Sequence, residues 1–197
     1  DSPMPTGVAW VYADPCQPNA WPDSLFDGEP FDAVISCMAS RTGLPKDAWA
    51  VDHDAHLAIL NTVKAAGIGH FILLSAICVQ KPQLAFQKAK RAFESALIAS
   101  GLNYSIVRPT AFFKSLSGQL ERVRRGHPFL VFGDGRLTAC KPISDDDLAD
   151  FIAGCLTDVS RHRAVLPIGG PGPAITPLDQ AEAIFAHLGQ PLRIKRV

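Results

Sequence analysis

The chain has 197 residues, 47% of them apolar and 19% charged, which predicts one globular domain with a substantial core. Lysine plus arginine and aspartate plus glutamate number 19 each, so no basic field favours nucleic acid as a partner. No apolar run is long enough to cross a membrane. The five cysteines form no C-x-x-C pair, and several lie in apolar runs, which predicts free thiols, several of them buried, in a reducing compartment.

Short apolar runs alternate with helical patterns along the chain. Predicted strands lie at Val8–Tyr12, Ala33–Cys37, Phe71–Ser75, Tyr104–Val107 and Val165–Ile168, and the terminal RIKRV predicts a further strand. The middle three runs are almost wholly apolar, which is typical of parallel strands covered by helices on both faces.

Four helices are predicted between these strands. One runs from about His53 to Ala66 and another over Leu84–Ser100, each followed by a glycine that can end a helix. Two more begin at Ser144 and at Thr176, where a hydroxyl residue precedes an acidic first turn. The alternation predicts an α/β, Rossmann-like parallel sheet. We expect residues 1–113 to be the remainder of an NAD(P)-binding Rossmann domain. Residues 114–197 would form a substrate-side region with returning Rossmann elements.

A Rossmann fold binds the cofactor pyrophosphate at a Gly-rich turn after its first strand. No such turn is present in that context. The run Gly169–Gly172 precedes the last helix and contains a proline, so we interpret it as a structural turn. We therefore expect the chain to lack the first βαβ unit and to be part of a longer protein. Without the Gly-rich turn, this chain is not expected to bind the cofactor as a complete Rossmann domain does.

The main functional hypothesis rests on three residues at and after the predicted strand Phe71–Ser75. Ser75 ends that strand, and Phe86 and Lys90 lie four residues apart on the following helix, so they share one face. This layout resembles the Ser and Tyr-x-x-x-Lys residues of short-chain dehydrogenases, in which the Lys binds the nicotinamide ribose. Phe86 occupies the Tyr position and has no hydroxyl to donate a proton. The alternative is that Phe86 is a core residue and Lys90 a solvated charge.

Other polar residues follow strands, where ligands of open α/β sheets bind. Ser36, Cys37, Ser40 and Arg41 follow one strand, and Arg41 is either a phosphate-binding or a solvated residue. Asp14 follows the first predicted run; it would meet the adenine, as in short-chain dehydrogenases, or serve as a turn residue.

Two further groups of residues border the same predicted edge. Arg108 and Pro109 end a strand and either shape the nicotinamide pocket or simply stop the strand. Cys78 and Lys81, in the loop after Ser75, either deliver a proton or are inert. The histidines show no metal-ligand spacing, so no metal site is predicted. No G-x-S-x-G elbow supports a hydrolase.

Longer motifs carry a more specific resemblance. They are ISCMASRTG at Ile35–Gly43, LLSAICVQKP at Leu73–Pro82, FQKAK at Phe86–Lys90, FGDGRLTACKPISDDD at Phe132–Asp147 and IGGPG at Ile168–Gly172. With these motifs the chain resembles atypical short-chain dehydrogenases of the NmrA-like kind. It is most similar to the NADPH-dependent divinyl chlorophyllide 8-vinyl reductases of chlorophyll and bacteriochlorophyll biosynthesis.

This resemblance implies an oxidoreductase that sends a hydride from NADPH to the 8-vinyl group of a magnesium tetrapyrrole, giving an ethyl group. It implies that a Tyr is dispensable, because the conjugated macrocycle stabilises the carbanion-like intermediate. The implied catalytic residues are Lys90 and Ser75. The implied cofactor-binding residues are Asp14, Ser36, Cys37, Ser40, Arg41, Ser75, Lys90, Arg108 and Pro109. The implied substrate pocket contains Cys78, Lys81, Phe86, Phe112 and Phe113.

The implied location is the cytoplasm of a phototrophic bacterium, or the plastid in a plant or alga. No membrane span is expected, and peripheral membrane proximity stays open. A flat apolar substrate would fit an aromatic wall of Phe112, Phe113, Phe129, Leu130 and Phe132, unless these residues are core. The alternative function is a non-catalytic NmrA-like NADP-binding sensor or assembly factor.

Overall fold

The computed structural model describes residues 6–17, 26 and 30–197. Its main sheet contains β1 (Ala33–Ser36), β2 (His70–Leu74), β3 (Asn103–Pro109) and β5 (Ala164–Ile168), in the order β1-β2-β3-β5. All neighbouring pairs in this sheet are parallel. A second, parallel pair consists of β4 (Phe129–Val131) and β6 (Ile194–Arg196). The loops after β1, β2 and β3 therefore meet at one edge of the main sheet.

The strands are connected by helices on both faces of the sheet. In chain order these are α1 (Pro45–Trp49), a π-helical segment (Ala50–Ala55), α2 (His56–Ala65), α3 (Ala85–Ala99), α4 (Phe113–Leu116), a 3-10 turn (Ser117–Gln119), α5 (Leu120–Arg124), α6 (Asp145–Gly154), a second 3-10 turn (Val159–Arg161) and α7 (Pro177–His187). The helix predicted from about His53 thus begins earlier, at Pro45. Proline is favoured there because the first helical position needs no N–H donor.

The predicted caps of the later helices are confirmed. The Ser144 hydroxyl accepts a hydrogen bond from the Asp147 amide at 3.0 Å, and the Thr176 hydroxyl accepts one from the Asp179 amide at 3.2 Å. Gly67 and Gly101, which follow α2 and α3, have φ values of +71° and +84°. Only glycine adopts this left-handed conformation without strain, so both helices end where the sequence predicts.

The predicted strand at Val8–Tyr12 is wrong. Residues 8–12 form no ladder with any described strand, and a strand exists only through a hydrogen-bonded neighbour. Trp10 is 52% exposed and Tyr12 is 85% exposed, so the segment also lacks the packing that its apolar character suggests.

Alternating side chains of β2 pack on opposite faces of the sheet. Phe71 and Leu73 join a buried cluster with Phe93 of α3, while Ile72 joins a second cluster with Val107 and α6. This two-sided burial explains why the strand is almost wholly apolar. A third cluster, made of Val123, Phe129, Val131, Ala181 and Phe185, lies around β4, β6 and α7. The domain boundary at residue 113 stays a prediction. β5, which lies beyond that boundary, returns to the main sheet.

The Gly169–Gly172 run is a structural turn that packs on the loop before α6. The Gly170 amide donates to the Lys141 carbonyl at 3.2 Å, and a Cβ on Gly170 would lie 2.0 Å from the Pro142 carbonyl oxygen. Only glycine permits this approach of two backbones. The IGGPG and ACKPIS motifs are therefore in direct contact.

Three general features of the described residues bear on function. No helix among them is both long and apolar enough to span a bilayer. They contain no group of three or more potential metal-ligating His, Cys, Asp or Glu side chains. All five cysteines are free, but only Cys155 is buried, so the prediction that several of them are buried is wrong.

Candidate functional site

A cavity of about 470 Å³ opens at the carboxyl edge of β1 and β2. It brings together predicted residues from four separate segments. Its lining consists of Cys37, Met38, Ala39, Ser40, Arg41, Gly43, Asp52, Leu74, Ser75, Ala76, Phe86, Lys90 and Phe112. The position agrees with the general rule that open parallel sheets bind ligands beyond the carboxyl ends of their strands.

Phe86 and Lys90 lie side by side in this cavity, one turn apart on α3. Lys90 is buried, with 7% of its surface exposed, so it is not the solvated charge of the alternative interpretation. The cavity therefore presents a cation and an aromatic ring at the positions predicted from the sequence. It has no acid at residue 86.

The sequence did not predict the partner of Lys90. The Lys90 ammonium nitrogen lies 3.0 Å from Oδ1 of Asp52, which is 1% exposed and also lines the cavity. A signal was available, because Asp52 falls at helical spacing among the buried residues Ala48, Ala55 and Ile59. A carboxylate on such an apolar face requires a buried partner.

Ser75 is held by a second buried acid that sequence reasoning missed. The Ser75 hydroxyl donates to Oε1 of Glu94 at 2.6 Å, and Glu94 is fully buried. Arg108 donates through Nε to the same oxygen at 3.0 Å, and Arg91 lies 3.4 Å from the other oxygen. The guanidinium of Arg108, a predicted cofactor ligand, is thus bound to Glu94 and does not line the cavity.

Ser36 and Pro109 also lie behind the cavity wall. The His56 ring bonds the Val51 carbonyl through Nδ1 at 2.8 Å and Ser36 Oγ through Nε2 at 3.0 Å. Because a carbonyl only accepts, Nδ1 carries the proton and Nε2 accepts from Ser36. Burial lowers the pKa of His56 to about 4, so the ring is neutral at pH 7. Pro109 is buried, and its carbonyl accepts from the Ile77 amide at 3.0 Å.

The structure places Asp14, Cys78 and Lys81 outside the lining of this cavity. The Asp14 carboxylate accepts from the Cys16 amide at 3.0 Å, so it forms a local turn. Cys78 and Lys81 are exposed in the loop after β2. Val79, which lies between them in the same loop, is fully buried. Burying Val79 fixes the loop with Cys78 on its outer side.

The predicted aromatic wall is divided among four environments. Phe112 lines the main cavity, whereas Phe113 lines a separate apolar groove of about 260 Å³ between α4, α5 and α7. Phe129 is a core residue at 1% exposure, and Phe132 is 75% exposed. The core alternative therefore holds for Phe129, whereas a substrate-binding wall stays a prediction for the other aromatics.

Two side chains in the cavity carry exchangeable protons of particular interest. They are the Lys90 ammonium and the Cys37 thiol. Burial raises the pKa of Cys37, and the positive charge of Lys90 opposes that effect. The thiol is therefore protonated at neutral pH.

A nicotinamide nucleotide fits the donors of this cavity. The Lys90 ammonium has three N–H donors, and among the described residues one carboxylate, that of Asp52, lies within ion-pair distance. The remaining donors suit ribose hydroxyls. Ala39 and Ala76 are small enough to let a ring approach the backbone.

Comparisons with known proteins identify the family of the chain. The family description NAD(P)H-binding matches residues 5–159. The rice (Oryza sativa subsp. indica) protein named divinyl chlorophyllide a 8-vinyl-reductase, chloroplastic, is 50% identical over 192 residues, which are 95% of this chain and 47% of the rice protein. The cucumber (Cucumis sativus) protein of the same name is 56% identical over 166 residues, covering 82% and 40%.

The fold is shared with solved nicotinamide-dependent enzymes. UDP-glucuronic acid 4-epimerase from Bacillus cereus, solved in complex with NAD, superposes with a TM-score of 0.77 at 15% identity. It covers 89% of this chain and 64% of the epimerase. This likeness confirms the predicted Rossmann-like fold.

The chain spans about half the length of the curated relatives it matches. The resemblance to 8-vinyl reductases that the motifs predict is confirmed by these relatives, and the cofactor is a nicotinamide nucleotide. Because the family match covers most of its residues, the chain belongs to the family of NAD(P)H-binding proteins.

Proposed function

We propose that the full-length protein uses NADPH to reduce the 8-vinyl group of a divinyl chlorophyllide to an ethyl group. One observation carries this proposal: Phe86 and Lys90 lie together in a cavity at the sheet edge, with no hydroxyl at residue 86. Such a site retains cofactor-binding groups while it lacks the acid that a carbonyl substrate requires. The names of the rice and cucumber relatives supply the substrate class.

The proposed reaction consumes one hydride and one proton for each vinyl group. When bound, reduced nicotinamide supplies the hydride to the terminal vinyl carbon. The electron pair of the double bond then resides on the carbon next to the macrocycle, whose conjugation delocalises the charge. A proton adds to that carbon and completes the ethyl group. An oxygen-directed acid at residue 86 has no role in this sequence.

Several cavity residues have a proposed part in that chemistry. Lys90 binds the ribose of the cofactor, and Phe86 and Phe112 exclude water from the reacting carbons. Because the Ser75 hydroxyl donates to Glu94, it offers only lone pairs to the cavity, and its role is to position groups rather than to donate a proton. Cys78 and Lys81 lie outside the cavity, so Lys90 or water is the proposed proton source.

The substrate side of the site is proposed to be the apolar groove at α4 and α7. Phe112 lines the cofactor cavity and its neighbour Phe113 lines this groove, so the two sites adjoin at consecutive residues. Flat apolar macrocycles suit grooves of this kind. The proposed location is the plastid in a plant or alga and the cytoplasm in a phototrophic bacterium.

The direct test is a spectroscopic assay of the full-length protein with NADPH and divinyl chlorophyllide. We expect the Soret band to shift to the blue as the monovinyl product forms. We expect Lys90→Ala to reduce turnover at low NADPH. Lys88→Ala, which removes an exposed lysine from the same helix, should leave it unchanged. A protein that binds NADPH without shifting the band would refute the proposal.

The second candidate is a non-catalytic NADP-binding sensor or assembly factor. The missing hydroxyl at Phe86 is also compatible with this candidate, since a sensor needs no proton donor. It predicts nucleotide binding with no turnover of any tetrapyrrole and stable association with a partner protein. The same assay, combined with co-purification, separates the two functions.

A further inference from the structure

We infer that Asp52 is a positioning residue that fixes the Lys90 ammonium for cofactor binding, an inference that rests on the proposed use of this cavity. Both side chains are buried, with 1% of the Asp52 side chain and 8% of the Lys90 side chain exposed, and their charged atoms are 3.0 Å apart. A buried lysine without a counter-charge is strongly destabilised, so this acid keeps the ammonium inside the site.

Two groups of Ser40 hold the Asp52 carboxylate in place. Its Oδ2 accepts from the Ser40 hydroxyl at 2.6 Å, and its Oδ1 accepts from the Ser40 amide at 3.3 Å. Ser40 belongs to the loop after β1, Asp52 to the π-helical segment and Lys90 to α3. One carboxylate thus connects three of the segments that line the cavity.

This connection matters because a lysine side chain has many rotamers. Holding its nitrogen at one point costs conformational entropy, which the fixed carboxylate offsets before any ligand arrives. Asp52 occupies one N–H donor, and no other residue in the described part of the chain bonds the ammonium, so the remaining donors are available to a ligand in the cavity. The local π-helical geometry, common at functional sites, presents Asp52 to α3 while Ala48 and Ala55 stay buried.

The rival explanation is that the ion pair only stabilises the fold. The two explanations differ in how the effects of mutations combine. If Asp52 acts on the cofactor through Lys90, its loss has no effect on binding once Lys90 is gone. If it merely supports the fold, its loss weakens binding by the same factor in either background.

The test is a double-mutant cycle in the full-length protein, read by NADPH binding through cofactor fluorescence. We expect Asp52→Asn and Lys90→Met each to raise the dissociation constant about tenfold, which equals about 1.4 kcal/mol. The double variant should bind no more than about twofold more weakly than Lys90→Met alone. Asp54→Asn and Lys88→Met are matched controls with exposed side chains and should bind as the wild type does.

Two results would overturn the inference: wild-type affinity in Asp52→Asn, or equal weakening by this change with and without Lys90. If Asp52→Asn does not fold, Ser40→Ala takes its place in the cycle, with an expected loss of about threefold that vanishes in the Lys90→Met background. Failure to reduce chlorophyllide would refute the proposed function but not this coupling, because the readout is binding alone.

Discussion

The Ser75 hydroxyl donates a hydrogen bond of 2.6 Å to Glu94, a fully buried carboxylate that also pairs with Arg108. Three segments distant in sequence thereby meet behind the cavity: the end of β2, the middle of α3 and the end of β3. Ser75, which borders the cavity, is therefore oriented by Glu94, an acid that does not line the cavity.

Removing the negative charge of Glu94 should destabilise the protein. Glu94→Gln leaves the Arg108 guanidinium buried beside a neutral amide, which typically costs about 3 kcal/mol. Urea unfolding at pH 7 measures the loss. Glu121→Gln is the control, because Glu121 forms an exposed ion pair with Arg125 that contributes about 0.5 kcal/mol or less. Equal effects of the two changes would contradict the proposed role of Glu94.

Restoring the missing hydroxyl should not improve the enzyme. Phe86→Tyr adds an O–H donor beside Lys90, yet the proposed reaction protonates a carbon and requires no acid directed at oxygen. We expect the rate of vinyl reduction, followed at the Soret band, to stay equal or fall. A marked rise would show that Phe86 is a defect in a carbonyl-type site.

The buried histidine His56 should make stability depend on pH. Burial lowers its pKa from 6.5 to about 4, so the unfolded chain binds more protons than the folded one between these values. The free energy of unfolding is therefore highest above pH 6.5 and falls as the pH drops towards 4, by about 3 kcal/mol at most.

Urea midpoints at pH 7 and pH 5 measure this dependence. His56→Asn should reduce the difference between them, whereas His187→Asn, a change at an exposed histidine, should leave it unchanged. A stability difference of full size in His56→Asn would assign the effect to other groups. His70, whose pKa burial also lowers, is the first to consider.

Backbone contact between two motifs should make Gly170 intolerant of any side chain. A Cβ there would lie 2.0 Å from the Pro142 carbonyl oxygen, so Gly170→Ala must displace backbone. We expect a loss of about 2 kcal/mol or more in the free energy of unfolding, measured with urea. Gly118→Ala, with no atom within 4 Å of its Cβ, should be nearly neutral. Equal effects of both changes would contradict the contact.

Local patterns predicted most of the fold and part of the site. Buried parallel strands, helix caps and the shared face of Phe86 and Lys90 depend on neighbouring residues, so periodicity and cap chemistry reveal them. The strand prediction at Val8–Tyr12 is wrong because a strand requires a hydrogen-bonded neighbour, which apolar character alone does not reveal. The ion pair of Arg108 was not predicted for a similar reason, since its partner Glu94 lies on another element.

Asp52 and Glu94 show why the polar half of the site was harder to predict. Each is an acid whose meaning depends on a residue far away in sequence, Lys90 for Asp52 and both Ser75 and Arg108 for Glu94. Both lie at helical spacing among buried residues of their own helix. An acid on an apolar helix face is therefore the sequence signal that identifies a buried ion pair.

We propose above all that a nicotinamide hydride reaches a vinyl carbon without a tyrosine acid. The most direct measurement uses the full-length protein, divinyl chlorophyllide and NADPH deuterated at both transferable positions of the nicotinamide. Mass spectrometry of the product should find one deuterium in the new ethyl group, with the other added hydrogen taken from water. An ethyl product without deuterium, or no ethyl product while NADPH is bound, would contradict the account.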